Sequence, residues 1–430
     1  MDQIRPIVAL SRTSKIIENV LKPAFLKNQK ANHDRAQVGF VPGMGTKNHL
    51  RRFSQSIKEH RARRKRIAAL FIDLKSAYDS VPRQVLVRRL MTRVRSGGLP
   101  RAHVEWCKYL LRETTIQIGK RTFKTGTGVL QGGVLSPILF NEFLDDLLVR
   151  LQTILPRDRV LAYADDIVLL LNSNKEINEC MDLIEQWCGA NEIRLNYNKS
   201  GLLDFTANNR FEWSRNANRT HRGFPVVDEY RYLGVLVKRP FSFAGAIEVS
   251  KSKMNAACWA ISQRNRGMNL LLKIVLWKTL ALCHWDYILP ILDACKKGEI
   301  TTVEKHIRKT FRIATGLRYQ SDHDPTYLLM NLQPGERKLE TILKIDEENE
   351  AYIAGDNAPQ TEAMMEEKIR KQIQAKAVST LAFISNRNVV AYVNMIKCRC
   401  PVDGELICVQ HVKEHHGLDK DINEVIAEIV

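Results

Sequence analysis

Apolar positions along this chain change period several times, and each change marks an element. Ala68-Ala69-Leu70-Phe71-Ile72 is an unbroken apolar run that predicts a strand buried on both faces and ending at Asp73. A longer run, Val160 to Leu171, is crossed only by Tyr163-Ala164-Asp165-Asp166, which predicts two short strands joined by a tight turn made of the acids themselves. Residues 84 to 113 read as helix, broken at Gly97-Gly98-Leu99-Pro100, and Thr114 to Val129 alternates as a hairpin turning at Gly119-Lys120. Ser136-Pro137 opens an amphipathic helix over Ile138 to Leu155, with proline at a first-turn position where its missing N–H costs nothing. Lys175 to Asn191 predicts another helix, followed by a strand to Phe205. Ahead of these, the first 60 residues alternate helical pieces with a Gly/Pro loop, Gly39 to Gly45. From Ala246 to Leu317 the pattern becomes long, basic, amphipathic helices, with Trp259, Trp277 and Trp285 on apolar faces where core packing is expected. An acidic, polar stretch from Asp346 to Glu362 reads as a linker, and Thr361 to Lys376 as a charged helix.

Composition adds a partner to this outline. A chain of 430 residues is long enough for two or three domains, and 44% hydrophobic with 26% charged residues is ordinary for a globular protein. The charge is not ordinary: 66 Lys and Arg against 47 Asp and Glu leave +19, which favours a polyanion, because phosphate neutralisation drives nonspecific nucleic-acid affinity. No apolar stretch reaches the roughly 18 residues of a spanning helix, and the N-terminus lacks a signal-peptide pattern. Lys58 to Arg66 is almost wholly basic, and Val303 to Arg312 sets cations opposite apolar residues; both are candidate phosphate contacts. Nine cysteines form no tight framework, so reduced thiols in an intracellular compartment are expected, nucleus or cytoplasm, with the mitochondrion left open.

The candidate chemistry lies where acids meet strands. Burying an unpaired carboxylate costs several kcal/mol, so acids ending apolar strands normally need a cation. Asp73, Asp165 and Asp166, delivered by two strands, make an oxygen-ligand set for two Mg²⁺ ions, the arrangement of metal-assisted phosphoryl transfer. Either stretch alone reads equally well as a surface turn with satisfied aspartates. The two together do not.

Phe71-x-Asp73 with Ala77-Tyr78-Asp79, then Gln131-Gly132-Gly133-Val134-Leu135-Ser136-Pro137, then Tyr163-Ala164-Asp165-Asp166, resemble motifs A, B and C of reverse transcriptases, in the flavour of non-LTR (LINE-like) retrotransposons, with group II intron enzymes as cousins. Arg5-Pro6-Ile7, Lys15 to Glu18 and Gln37 to Gly43 resemble the fingers blocks; Leu195 to Ser200 resembles motif D, and Tyr230 to Val235 motif E. The motifs cover about residues 5 to 240 and the likeness continues loosely to about 320. It implies an α+β right-hand polymerase fold: partial fingers over 1–66, an antiparallel-sheet palm over 67–240 with a fingers insertion near 84–128, and a helical thumb over 241–345. A linker with a charged helix would follow over 346–385, then a small Cys/His module over 386–430.

The resemblance further implies an RNA-directed DNA polymerase acting on an RNA template, a DNA primer and dNTPs, with two Mg²⁺ on Asp73, Asp165 and Asp166 and a further oxygen from the Ile72 carbonyl. Tyr78 would lie beneath the nucleotide sugar and clash with a 2′-hydroxyl; Gln131 and Gly132 would approach the template or nucleotide. Arg5 would grip the triphosphate, Lys199 could protonate pyrophosphate, and Tyr232, Leu233 and Gly234 would form the primer grip. Cys398, Cys400, Cys408, His411 and His416, beside His415, are either a zinc knuckle with irregular spacing or free thiols plus surface histidines. The chain starts on its first fingers block with no endonuclease-like domain ahead of it, so a protein partner supplying fingers or endonuclease is expected. Two other readings stand beside the polymerase. One is a catalytically inactive RNA-binding or maturase-type factor; the other is an RNA-templated RNA polymerase, against which Tyr78 argues.

Overall fold

In the computed structural model, the described residues are 7–32, 36–63, 66–112, 114–118, 120–206, 211–215, 219–263, 268, 270–292, 295 and 297–316. Arg5, the linker and charged helix after residue 346, and the whole Cys/His cluster (Cys398, Cys400, Cys408, His411, His415 and His416) lie outside them.

Helices α1 (Arg12–Asn32) and α2 (Thr46–Ala62) precede strand β1 (Ala68–Ile72); α3 (Arg83–Arg95), α4 (Arg101–Leu110), the hairpin β2 (Thr114–Ile118) and β3 (Arg121–Thr125), and α5 (Ser136–Leu151) follow. Next come β4 (Val160–Tyr163), β5 (Asp166–Leu171), α6 (Asn174–Ala190), β6 (Gly201–Asp204), the small hairpin β7 (Thr220–His221) and β8 (Phe224–Pro225), and a second hairpin, β9 (Glu229–Tyr232) and β10 (Val235–Lys238). Helices α7 (Ala244–Gln263), α8 (Leu270–Leu276), α9 (Cys283–Leu292) and α10 (Lys297–Thr315) complete the order.

The central sheet is antiparallel, in the order β4-β5-β1-β6. It is buried on both faces, which is why its strands read as continuous apolar runs rather than alternating ones. Ala68, Leu70 and Ile72 join Ile167, Leu169 and Leu171 in the core built with α3, α5 and α6. Phe71 points the other way and meets Phe53 of α2 with ring centroids 6.1 Å apart.

Several boundaries differ from the sequence expectation. The helix opened by Ser136-Pro137 stops at Leu151, and the chain turns through residues 152–155 before Pro156, which disfavours helix in the residue ahead of it. The strand expected to reach Phe205 spans only Gly201–Asp204, because residues 194–200 instead wrap back onto Asp73 and Lys75. The break at Gly97 to Pro100 and the hairpin register Ile118↔Arg121 are as expected.

The chain divides into two compact units. The first, Met1–Asn255, Leu282–His306 and Gly335–Asn349, holds every strand among the described residues; there Trp285 is buried. In the second, Ala256–Ala281, Ile307–Pro334 and Glu350–Val430, Trp277 packs edge-on against Phe311 at 5.0 Å, as expected of core. Trp259 corrects that expectation. It is 66% exposed, because Cys258 and Ile261 take the inward side of α7.

Candidate active site

Two register relations build the site. Ile72, the last residue of β1, pairs with Ile167 of β5; continued one residue past the strand end, that register brings Asp73 opposite Asp166. Alternation then puts Asp73 on the face of Phe71 and Asp166 on the face of Val168, the same side of the sheet. Directly opposed positions hold their Cβ atoms about 5 Å apart, and like charges there destabilise the pair, so a folded chain gains nothing structural from this arrangement. Tyr230 reports the same closeness. Its ring stacks on Phe71 at 4.0 Å and 7°, and its phenol pKa is pushed up by burial and then by the carboxylates of Asp166 and Asp73.

Asp165 comes from the turn that joins β4 to β5. Tyr163 pairs with Asp166, leaving Ala164 and Asp165 as a two-residue loop. Asp166 is thus the first residue of β5 rather than part of the turn. Ala164 carries φ 55°, at the place where type II′ hairpins favour glycine. Gln37 holds it there. Its Nε2 donates to Ala164 O at 3.0 Å, while its Oε1 accepts from Ala164 N and from Gly39 N, each at 2.8 Å. The segment 36–38 lies beside β4 through Ala162 N to Ala36 O and Val38 N to Ala162 O, and a Cβ on Gly39 would overlap the Ala164 nitrogen. Asn141 Nδ2 donates to Gly39 O at 2.8 Å and anchors this segment to α5.

The loop after α6 fixes Asp73. Asn196 Nδ2 donates to Asp73 Oδ2 at 2.8 Å, Asn196 N donates to Asp73 O at 2.9 Å, and Asp73 N donates to Ser200 Oγ at 3.1 Å. Asp73 is therefore oriented by three bonds to one loop. Among the described residues, no three His, Cys, Asp or Glu side chains converge closely enough to hold a metal as they stand. The donor set still suits a hard divalent cation, being carboxylate oxygens on facing strand ends.

Tyr78 is half-buried and stacked on Phe140 at 4.6 Å and 11°. Burial and then the Asp165 charge push its phenol pKa up. The head of the Gln131 block is held by contacts within the chain. The Gln131 amide donates to both oxygens of Asp79 at 3.3 Å, and the close approach at Gly132 is made by this chain itself. Gly132 has φ 106°, and a Cβ there would stand 2.6 Å from Val8 O. Glu18 of α1, buried, accepts from Leu135 N at 2.9 Å and ties the same loop to the N-terminal helix.

The β9–β10 hairpin turns at Leu233 (φ 45°) and Gly234 (φ 76°), both left-handed as a type I′ turn requires. Tyr287 Oη donates to Leu233 O at 2.6 Å and supports that turn. The Tyr232 side chain is buried among His49, Phe53 and Phe71, so this hairpin offers its turn backbone outward and not the tyrosine ring. Lys199 is exposed, and its carbonyl accepts from Tyr230 Oη at 2.7 Å. Asn196, Ser200, Glu18 and His49 were not singled out by sequence reasoning. Asn196 and Ser200 sit inside the block Leu195 to Ser200, where a polar pair flanking Lys199 was the available signal.

A family model described as reverse transcriptase (RNA-dependent DNA polymerase) matches residues 1–237, more than half of the chain. The chain belongs to this reverse transcriptase family. Its similar relatives include the RNA-directed DNA polymerase from mobile element jockey of Drosophila melanogaster, 24% identical over 336 residues, covering 74% of this chain and 36% of that one. Another is the Pol polyprotein from the type-1 retrotransposable element R2 of Nasonia vitripennis, 27% identical over 258 residues, covering 54% of this chain and 24% of that one. The chain thus spans about a third or less of the length of these relatives, which are of the non-LTR kind that the motifs resemble. Among solved structures, apo telomerase from Candida tropicalis is similar at a TM-score of 0.45 and 11% identity, covering 96% of this chain and 61% of that one. Family membership gives the antiparallel sheet the identity of a right-hand polymerase palm. None of its helices, among the described residues, is long and apolar enough to cross a membrane.

Proposed function

We propose that this chain is an RNA-directed DNA polymerase that extends a DNA primer on an RNA template. One observation supports the reading: in a chain of the reverse transcriptase family, Asp73 follows the last residue of β1 and Asp166 opens its antiparallel neighbour β5, beside the turn that bears Asp165. These three carboxylates, with the Ile72 carbonyl at the end of β1, are the residues that would hold two Mg²⁺. Ions of that kind lower the pKa of an attacking 3′-hydroxyl and neutralise the triphosphate and leaving pyrophosphate.

The chain's own part is positioning, which carries most of the rate in phosphoryl transfer. Asn196 and Ser200 orient Asp73, and Gln37 fixes the turn of Asp165. The Tyr78 ring, backed by Phe140, would be a wall beneath the nucleotide sugar. The Leu233–Gly234 turn would hold the primer end, Lys199 would meet the departing pyrophosphate, and Gln131 with Gly132 would border the nucleotide or template. Arg5 is assigned to the triphosphate, and the Cys398-to-His416 cluster to a zinc knuckle, on sequence alone. Fingers to residue 66, palm to 240 and thumb to 345 remain the proposed division, with work in the nucleus or cytoplasm and the mitochondrion left open.

Primer extension on a homopolymer RNA template with a DNA primer, dNTPs and Mg²⁺ tests the reading. Wild type should extend and Asp166→Asn should not, while both bind the template-primer equally. Salt-sensitive RNA binding without any extension would select the RNA-binding, maturase-type reading instead.

A further inference from the structure

Charge is concentrated where the catalytic chemistry is not. Residues 83–125 hold eleven Lys and Arg against two Glu, so +9 of the chain's +19 lies in this tenth of its length. Part of it is structural. Arg83 donates to four carbonyls, those of Gly128, Leu111, Arg112 and Thr125; Arg89 meets Asp146; and Arg93 meets Glu142 and Asp145. Arg88, Arg95, Arg101 and Arg112 are instead exposed. Between them α4 shows solvent two aromatic side chains one turn apart, Trp106 (46% exposed) and Tyr109 (62% exposed).

The two rings meet edge to face, with centroids 6.0 Å apart at 85°, and the Arg112 guanidinium lies 5.9 Å from the Tyr109 ring. Two features favour a nucleic acid over a protein partner. Of the large apolar side chains exposed among the described residues, only these two belong to residues 83–125, so they stand among cations and not within an apolar patch. Their faces suit an unpaired base, while the arginines around them suit its phosphates, the combination used for sequence-tolerant single-strand binding. The Arg83 clamp also ties the C-terminal end of α4 to the β2–β3 hairpin, which adds Lys120 and Lys124 to the same charged region.

We propose that the outer face of α4 is a docking platform for single-stranded RNA, in which Trp106 and Tyr109 stack unpaired bases and the flanking arginines take the phosphates. This rests on the polymerase reading for the choice of RNA, and none of the residues assigned to catalysis belongs to α4. A strand held there would be template that has not yet been copied, because stacking needs bases that are not already paired.

The test is fluorescence anisotropy with the full chain and a labelled 16-nucleotide U-rich RNA, against a blunt RNA duplex of equal length. Trp106→Ala with Tyr109→Ala should weaken single-strand binding between about tenfold and a few hundredfold, since each stacked base is worth roughly one factor of ten. Duplex affinity should hold, and the Trp106→Phe, Tyr109→Phe pair should recover most of the loss. Unchanged single-strand affinity, or equal loss on single strand and duplex, would overturn the platform. So would loss of self-association with RNA binding intact, which would make the rings a protein interface. Primer extension by the same preparations separates the two proposals. A wild type that binds RNA through the rings but never extends keeps the platform and ends the polymerase; an active wild type whose affinity ignores the rings does the reverse.

Discussion

Gln37 and Ala164, 127 positions apart, are joined through both backbone polar groups of one residue: the side-chain amide donates to Ala164 O at 3.0 Å and accepts from Ala164 N at 2.8 Å. An alanine at φ 55° is a costly conformation, of order 1–3 kcal/mol, and persists only where its surroundings over-determine it. The same alanine precedes Asp165, so the amide sets the aim of a carboxylate it never touches. Gln37→Met should lower kcat about a hundredfold or more, the cost of misplacing a reacting group by an ångström, while KM for dNTP stays near wild type. Hydrogen exchange should show the Ala164 amide losing protection. An unchanged kcat with that protection lost would remove Gln37 from the positioning set.

Asp166→Asn should separate function from stability. Asp73 and Asp166 stand at adjoining ends of the paired strands β1 and β5, where like charges oppose folding. Neutralising one should abolish extension yet leave the thermal midpoint equal to or above that of wild type, the usual exchange between an active site and stability. A midpoint several degrees lower would show that Asp166 has a structural task.

How much of this could be read from the sequence depends on the range of the interaction. The Asp165-Asp166 hairpin was legible because its apolar flanks and tight turn are local, and so was the break between α3 and α4. The Gln37–Ala164 clasp was not, because an amide reaching a backbone 127 residues away leaves no period in the sequence. The Gln131 contact was not legible for a related reason. A side-chain amide shows its capacity to bond but not its partner, and here the partner is Asp79. Trp259 misled because a helical stripe places a residue near a face without fixing which neighbour claims the inside.

His49 gives a pH signature. It is fully buried against Tyr232, to whose hydroxyl its Nε2 is hydrogen-bonded, and burial followed by the nearby Arg52 charge lowers its pKa to about 3. The unfolded chain, with an ordinary histidine pKa near 6.5, binds a proton that the folded chain refuses between those values. Stability contributed by this group is therefore whole above about pH 6.5 and lost as pH falls toward 3, at roughly 1.4 kcal/mol per pH unit. Urea unfolding of wild type and His49→Phe at pH 7, 6 and 5 should show the wild type losing ground to the variant as pH drops. Parallel curves would mean that His49 titrates normally.

Arg83 is a structural test of the charged region. Its guanidinium reaches Gly128 O and Thr125 O at 2.8 Å, Arg112 O at 2.9 Å and Leu111 O at 3.3 Å. A lysine has three donors and no planar fork, so Arg83→Lys leaves at least one of the four carbonyls without its partner. A loss of about 1–3 kcal/mol in denaturant unfolding is expected, with the salt dependence of RNA binding retained. No loss would show that water takes the place of the guanidinium.

The last prediction concerns sugar choice. Tyr78 is stacked flat on Phe140, 4.6 Å between centroids, which fixes the plane of the ring, and the Asp165 charge adds to burial in raising its phenol pKa. A fixed ring can discriminate by collision alone: a ribonucleotide's 2′-hydroxyl meets it and a deoxynucleotide's C2′ does not, so selectivity needs no added affinity. Replacing Tyr78 with Val removes the wall but also the stacking partner of Phe140, which should cost about 1–3 kcal/mol of stability and must be measured separately. Extension with dNTPs should stay near wild type once folded protein is normalised. Incorporation of rNTPs should rise about ten- to a hundredfold, the scale of one pocket contact. Tyr78→Phe should behave as wild type, since the ring and not the hydroxyl makes the wall. If Tyr78→Val still extends with dNTPs and rejects rNTPs as strongly as the parent, Tyr78 is core alone, and the choice between DNA and RNA product lies with another residue.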